Sequence, residues 1–319
     1  MTSSRKAKKR VAVIGYGSQG RAIALNLRDS GYPVMIGLRA GSTSRKTAGR
    51  DGFAQIAPPR RVAAQSDLII MAIPDHEHGR VFARQIAPAM KRGATVVFLH
   101  GMSVHFGLVK PPKHCDIILI APHSPGVALR EQFLGERAVS AFVAVAQNPT
   151  RKARTTAREL AQAIGIARKR QISTTFAHEA IGDIFGEQAV LCGGLVMLIK
   201  HGFDVLVEAG LKPDHAYLEV AYQLDLIIGL IKKYGVRGMF ERISVAAKFG
   251  SLCAGPRILD QSVRERMQRE LAGICTGRFA QKLATLTPRQ ISSLDSALAE
   301  LTSPAFEKAA RRLSSARRR

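Results

Sequence analysis

The chain has 319 residues, 46% hydrophobic and 23% charged. These are globular proportions, so disordered, collagen-like and low-complexity classes are excluded outside the termini, and about two domains are expected at this length. The charge is the anomaly: 48 Lys and Arg against 24 Asp and Glu leave +24, with a pI near 10.7.

Such a balance raises a nucleic-acid partner. The chain has no Trp and 5 Tyr, so it lacks the aromatic-plus-basic stripe that stacks bases, and non-specific binding is the most expected. Part of the charge sits in residues 1–10 and 304–319, which read as basic, solvated tails. Cys115, Cys192, Cys253 and Cys275 form no C-x-x-C pair, so neither a disulfide framework nor a zinc site is written here, and a cytoplasmic location fits. The run VAVIG breaks into glycines too early for a signal peptide. The most apolar helix candidate, Ala189 to Ile199, is too short to span a membrane.

From Val11 to about Arg168, short β-branched runs alternate with longer helical stretches: VAVIG, PVMIGL, DLIIMAIP, ATVVFLH, DIILIAP and AFVAVA. Continuous apolar runs of this kind indicate strands buried on both faces of a parallel sheet. Residues 11–174 are therefore expected to form a doubly wound Rossmann domain. After Thr174 the β signal disappears, and helices are expected over 179–201, 213–233, 258–276 and 288–301, making 175–303 an all-α domain.

Gly15-Tyr16-Gly17-Ser18-Gln19-Gly20 follows the first strand and opens a helix. That context suits a dinucleotide pyrophosphate at a helix N-terminus. Near the end of the next strand, where an NAD enzyme offers a carboxylate to the ribose, the chain has Arg39, then Ser42 and Ser44. A cation and two hydroxyls suit the 2′-phosphate of NADP(H). Farther on, Asp183 and Glu187 share a helix face, and Glu219 and Gln223 repeat the spacing in an apolar stripe. Oxygen donors without cysteine or paired histidine favour Mg²⁺ over zinc, and structural caps or ion pairs account for each pair equally well.

VAVIGYGSQGRAIALNLRDSG, GLRAGSTS, IPDHEHG, HGMSVHFG, PPKHCDIILIAPHSPG, TTFAHEAIGDIFGEQAVLCGG and GPRIL resemble, in order and spacing, the short-form ketol-acid reductoisomerases from about Val11 to Thr302. The resemblance implies an NADP-dependent, Mg²⁺-dependent enzyme of branched-chain amino-acid synthesis, with a Rossmann domain and a knotted helical domain that dimerises. In the family, 2-acetolactate or its ethyl homologue undergoes alkyl migration and then hydride reduction to a 2,3-dihydroxy acid. By position it puts Tyr16, Gly17, Ser18 and Gln19 on the pyrophosphate and Arg39, Ser42 and Ser44 on the 2′-phosphate. Asp75, His76, Glu77 and His78 fall along the nucleotide, and Gly126 beside the nicotinamide. His100 falls on the active-site histidine, Asp183, Glu187 and Glu219 on metal ligands, and Ser244 on a substrate contact. The ligands equivalent to Glu219 and Gln223 reach in from a partner subunit.

Two departures fall where the chemistry is. His123 stands where the family has lysine, and Gln223 where it has a second glutamate. The acids after Ser244 are also lost, and His178 and Ile181 replace acidic residues. Three readings compete: a working reductoisomerase, a paralogue that reduces another small 2-keto acid without the isomerase step, and an inactive basic binding protein on the same scaffold. The complete cofactor loop argues against the third.

Overall fold

The structure is a computed structural model that describes residues 8–135 and 139–316. The chain divides into two compact units. One comprises Met1–Gly182 with Gly277–Thr285, the other Asp183–Thr276 with Leu286–Arg319. The division between these units falls inside a helix, and a late segment belongs to the first unit.

The first unit is built on strands β1 (Val11–Ile14), β2 (Val34–Gly37), β3 (Ile56–Ala57), β4 (Leu68–Met71), β5 (Thr95–Phe98), β6 (Asp116–Pro122), β7 (Ala141–Gln147) and β8 (Gln171–Ser173). They form one sheet in the order β3-β2-β1-β4-β5-β6-β7-β8. Helices α1 (Ser18–Asp29), α2 (Ser44–Arg50), α3 (Pro59–Gln65), α4 (Asp75–Val81), α5 (Met102–His105), α6 (Gly126–Leu134) and α7 (Ala153–Ala163) connect them. β1, β4 and β5 are fully buried and carry Val, Ile, Leu and Met on both faces, as sheet faces covered by helices require. One apolar cluster, including Val11, Val13, Ile70 and Leu160, covers one face. A second, with Ile14, Met71, Phe82 and Phe98, covers the other.

Three features depart from the sequence expectation. The short strands β3 and β8 carry too few apolar residues to stand out. β7 runs antiparallel to β6, with an irregularity at Ile117/Ile118; apolarity marks burial and carries no direction. Lys9 and Arg10, expected in a tail, are bound: Lys9 donates to Thr156 (3.2 Å) and the Arg10 N–H to Asp67 (3.0 Å). The rest of that tail, residues 1–7, lies outside the described residues.

Helices α8 (Phe176–Phe185), α9 (Gly194–Glu208), α10 (Pro213–Tyr217), α11 (Leu224–Phe240), α12 (Val245–Ile258), α13 (Gln261–Cys275), α14 (Arg278–Ala284), α15 (Pro288–Leu301) and α16 (Pro304–Ala316) complete the chain. α14 belongs to the first unit, where Gly277 (φ +74°) lies against the Phe106 ring. π-helical turns over Gly186–Leu191 join α8 to α9, so the helix runs unbroken over Phe176–Glu208 and, by length and composition alone, could cross a membrane. That corrects the short apolar helix expected at Ala189–Ile199. A further correction concerns 304–319, expected as a tail: Pro304–Ala316 is helical. Phe306 packs edge-on against Phe203 (5.1 Å) and Tyr217 (5.2 Å), and Ala309 is buried. Two apolar residues three apart share a helix face and anchor it despite the arginines around them.

Candidate active site

The strand order reverses at the β1/β4 boundary, the place where doubly wound sheets open a crevice. The glycine loop sits there. Gly15 has φ +101°, and a Cβ on it would lie 2.3 Å from the Ala72 carbonyl oxygen. A Cβ on Gly20 would meet the Gly15 carbonyl oxygen at 2.8 Å, whereas one on Gly17 would meet nothing within 4 Å. Two glycines therefore permit close packing and the third leaves the N-terminus of α1 open, where unpaired N–H groups attract an anion.

The loop is braced from beside. A Cβ on Gly126, at the start of α6, would fall 2.3 Å from the Ser18 carbonyl oxygen, and the Gln19 amide donates to the Ser124 carbonyl (3.2 Å). The other Gln19 side-chain atom, Oε1, is buried without a hydrogen-bond partner among the described residues. An open cradle above an orphaned acceptor fits a bound dinucleotide. Tyr16 differs from expectation: its side chain is buried and its hydroxyl donates to Asp51 (2.8 Å), so only its backbone is left to face a pyrophosphate. Burial and the Asp51 contact push the phenol pKa up.

At the end of β2, Arg39 is exposed, Ser42 and Ser44 are half-buried, and the Ser42 N–H donates to the Arg39 carbonyl (3.2 Å). Arg45 nearby is committed to the carbonyls of Leu38 and Ile56 (3.3 and 3.1 Å). Arg39 has no ion pair among the described residues and remains for an anion. After β4, Asp75, His76 and Glu77 are half-buried at the start of α4. His78 is buried against Phe98 instead, between the Ser103 hydroxyl (2.9 Å) and the Ile73 carbonyl (3.0 Å). The carbonyl can only accept, so Nε2 carries the proton and Nδ1 accepts from Ser103. It is a satisfied core histidine.

His100 and His123 follow β5 and β6 at the same end of the sheet. His100 Nδ1 accepts from the Met102 N–H (3.1 Å), which leaves the proton on Nε2. The next residue, Gly101, donates its N–H to Glu179 Oε2 (2.6 Å), and Glu179 is 3% exposed. The sequence reading missed Glu179. Its signal was there, four residues before Asp183 in an apolar helix. His123 is held by the Ser140 hydroxyl (3.0 Å) and edge-on by Phe142 (4.3 Å).

In the second unit, Asp183 and Glu187 are exposed. Glu219 and Gln223 form their own pair, in which the Gln223 amide donates to Glu219 Oε2 and to the Leu218 carbonyl, both at 3.3 Å. Ser244 caps α12, accepting the Ala247 N–H (3.1 Å). Among the described residues no three His, Cys, Asp or Glu side chains gather as a metal site. The two pairs expected as metal ligands are thus not gathered into one group among the described residues. Carboxylates and an amide oxygen are the hard donors that Mg²⁺ takes.

Residues 6–170 match the family described as "Acetohydroxy acid isomeroreductase, NADPH-binding domain", and residues 176–319 match "Ketol-acid reductoisomerase, C-terminal domain". The ketol-acid reductoisomerase (NADP(+)) of Pyrobaculum calidifontis is 47% identical over 274 residues, covering 86% of this chain and 83% of the relative. That of Pyrobaculum arsenaticum is 44% identical over 300 residues, 94% of this chain and 91% of the relative. A solved NADH-preferring ketol-acid reductoisomerase from an uncultured archaeon superposes with a TM-score of 0.90 at 35% identity, over 96% of this chain and 94% of its own. With both halves matched and close relatives covered along most of their length, the chain belongs to the ketol-acid reductoisomerase family.

Proposed function

We propose that the chain is an NADP- and Mg²⁺-dependent ketol-acid reductoisomerase of branched-chain amino-acid biosynthesis, converting 2-acetolactate to 2,3-dihydroxy-3-methylbutanoate in the cytoplasm. The observation that carries this reading is the intact dinucleotide cradle beside Arg39, which has no ion pair among the described residues, with His100 and His123 at the same strand ends. When bound, NADPH supplies the hydride, and Mg²⁺ at Asp183, Glu187 and Glu219 supplies a Lewis acid for the substrate carbonyl. The backbone of Gly17, Ser18 and Gln19 binds the pyrophosphate, and Arg39, Ser42 and Ser44 bind the 2′-phosphate. His100, with its proton on Nε2, hydrogen-bonds the substrate oxygen or an intervening water. Gly126 keeps α6 close enough to the loop to wall the nicotinamide side.

The metal site is completed in a homodimer, in which Glu219 and Gln223 come from the second copy. Large apolar residues exposed in the helical unit, among them Leu191 (63%), Leu226 (63%) and Phe249 (70%), support burial between subunits. The apolarity of the long helix belongs to that interface rather than to a bilayer. The excess positive charge supports only weak, salt-sensitive contact with nucleic acid.

The Gln223 amide favours a second reading. It donates to Glu219 (3.3 Å) and adds no negative charge, so a site meant for two divalent ions is weakened, and His123 replaces a permanent cation with a titrating one. In that reading the isomerase step is lost and another small 2-keto acid is reduced. The experiment is NADPH oxidation with Mg²⁺ and either 2-acetolactate or the rearranged 3-hydroxy-3-methyl-2-oxobutanoate. Turnover of 2-acetolactate is expected. Turnover of the rearranged acid alone establishes the second reading, and consumption of neither removes both.

A further inference from the structure

We propose that Asp51 is a positioning residue that couples the glycine loop to the 2′-phosphate clamp and thereby sets the preference for NADPH over NADH. The inference rests on the NADP reading above. Asp51 caps the C-terminal end of α2, whose other end begins at Ser44 beside Ser42 and Arg39. α2 has seven residues and only Ala48 among them is buried. Apolar packing therefore does little to fix where the clamp lies, and polar contacts do it: Arg45 ties the near end of α2 to the Leu38 and Ile56 carbonyls, and Asp51 ties the far end.

The far-end contacts converge on Asp51. Its Oδ2 accepts the Tyr16 hydroxyl (2.8 Å) and Arg21 Nε (2.7 Å), and its Oδ1 accepts Arg21 Nη2 (2.9 Å). Tyr16 lies inside the glycine loop, and the Arg21 N–H donates to the Gly17 carbonyl (2.8 Å). Arg28 on α1 donates to the Asp51 carbonyl and lies over the Phe53 ring (5.5 Å), which itself meets Tyr16 edge-on (5.7 Å). An exposed ion pair contributes little. This carboxylate is only 15% exposed and receives three hydrogen bonds in a bidentate arrangement, which fixes direction as well as distance. The Arg21 contact also holds its pKa below the ordinary carboxylate range, so it stays ionised near neutrality.

NADH has no 2′-phosphate and so gains nothing from the clamp's cation. NADPH needs the loop and the clamp at the correct separation, and α2 sets that separation. Asp51→Asn keeps the shape and removes the charge. The test is fluorescence titration of purified protein with NADPH and with NADH, in wild type, Asp51→Asn, Arg39→Asp and the double variant. The expectation is that Asp51→Asn weakens NADPH about tenfold and NADH less than about threefold, with no further loss of NADPH affinity in the Arg39→Asp background. Should Asp51→Asn fail to fold by circular dichroism, Tyr16→Phe removes one of the three hydrogen bonds, and the same selective loss is expected of it.

Unchanged NADPH affinity, equal losses for the two cofactors, or an undiminished loss in the Arg39→Asp background overturns the coupling while leaving the cofactor reading intact. A wild-type chain that does not bind NADPH overturns both.

Discussion

Burial holds the His78 imidazole below its ordinary pKa of 6.5, and Asp75, His76 and His100 modulate it. The unfolded chain takes up the proton near 6.5 and the folded chain only at lower pH. The stability contributed by neutral His78 is therefore complete above about pH 6.5 and falls as the pH drops below it. Thermal unfolding from about pH 8 to about pH 5 should show Tm falling on the acid side, with a shallower fall in His78→Gln; parallel slopes would assign the effect elsewhere. At this scale the sequence was informative where one residue type has one use. Gly15, Gly17 and Gly20 were legible because tight turns and phosphate approach demand glycine at that spacing. Tyr16 and Ser244 were not, since a side chain's partner depends on folding: Asp51 lies on another element, and Ser244 is used as a helix cap.

Helix α16 shows what an element gains from a few apolar residues. Phe306 is the ring that joins α16 to Phe203 and Tyr217. Phe306→Ala should cost about 1–3 kcal/mol, read as a lower midpoint in urea unfolding. An unchanged midpoint would mean that α16 contributes nothing to the unit. Its arginine-rich composition hid this helix, because charge density suggests solvation while only the periodicity of Phe306 and Ala309 records packing. The long apolar strands were legible as pattern. β8 was not: with three residues it borrows its pairing from β7, a long-range property. The proposed metal ligands were legible only as i, i+4 pairs. Nothing in the spacing says that Asp183 and Glu187 remain apart from Glu219 and Gln223 within one chain.

For the whole molecule, the exposed apolar side chains of the helical unit support the proposed homodimer. Patches that include Val205 (62%), Leu226 (63%) and Leu252 (59%) are seldom left in water. Light scattering should return a mass of at least two 34.6 kDa chains, and a monomer at micromolar concentration would overturn the proposed shared metal site. The other whole-chain feature is the return of Gly277–Thr285 to the first unit. There α14 packs on α4, and Gly277 fits under Phe106. During synthesis the eight strands leave the ribosome about a hundred residues before α14, several seconds at ordinary elongation rates. Until then α4 and Phe106 lack the cover that α14 gives them, and the first unit reaches its final form only after most of the helical unit has been made. Protein synthesis thus ties the maturation of the two units together.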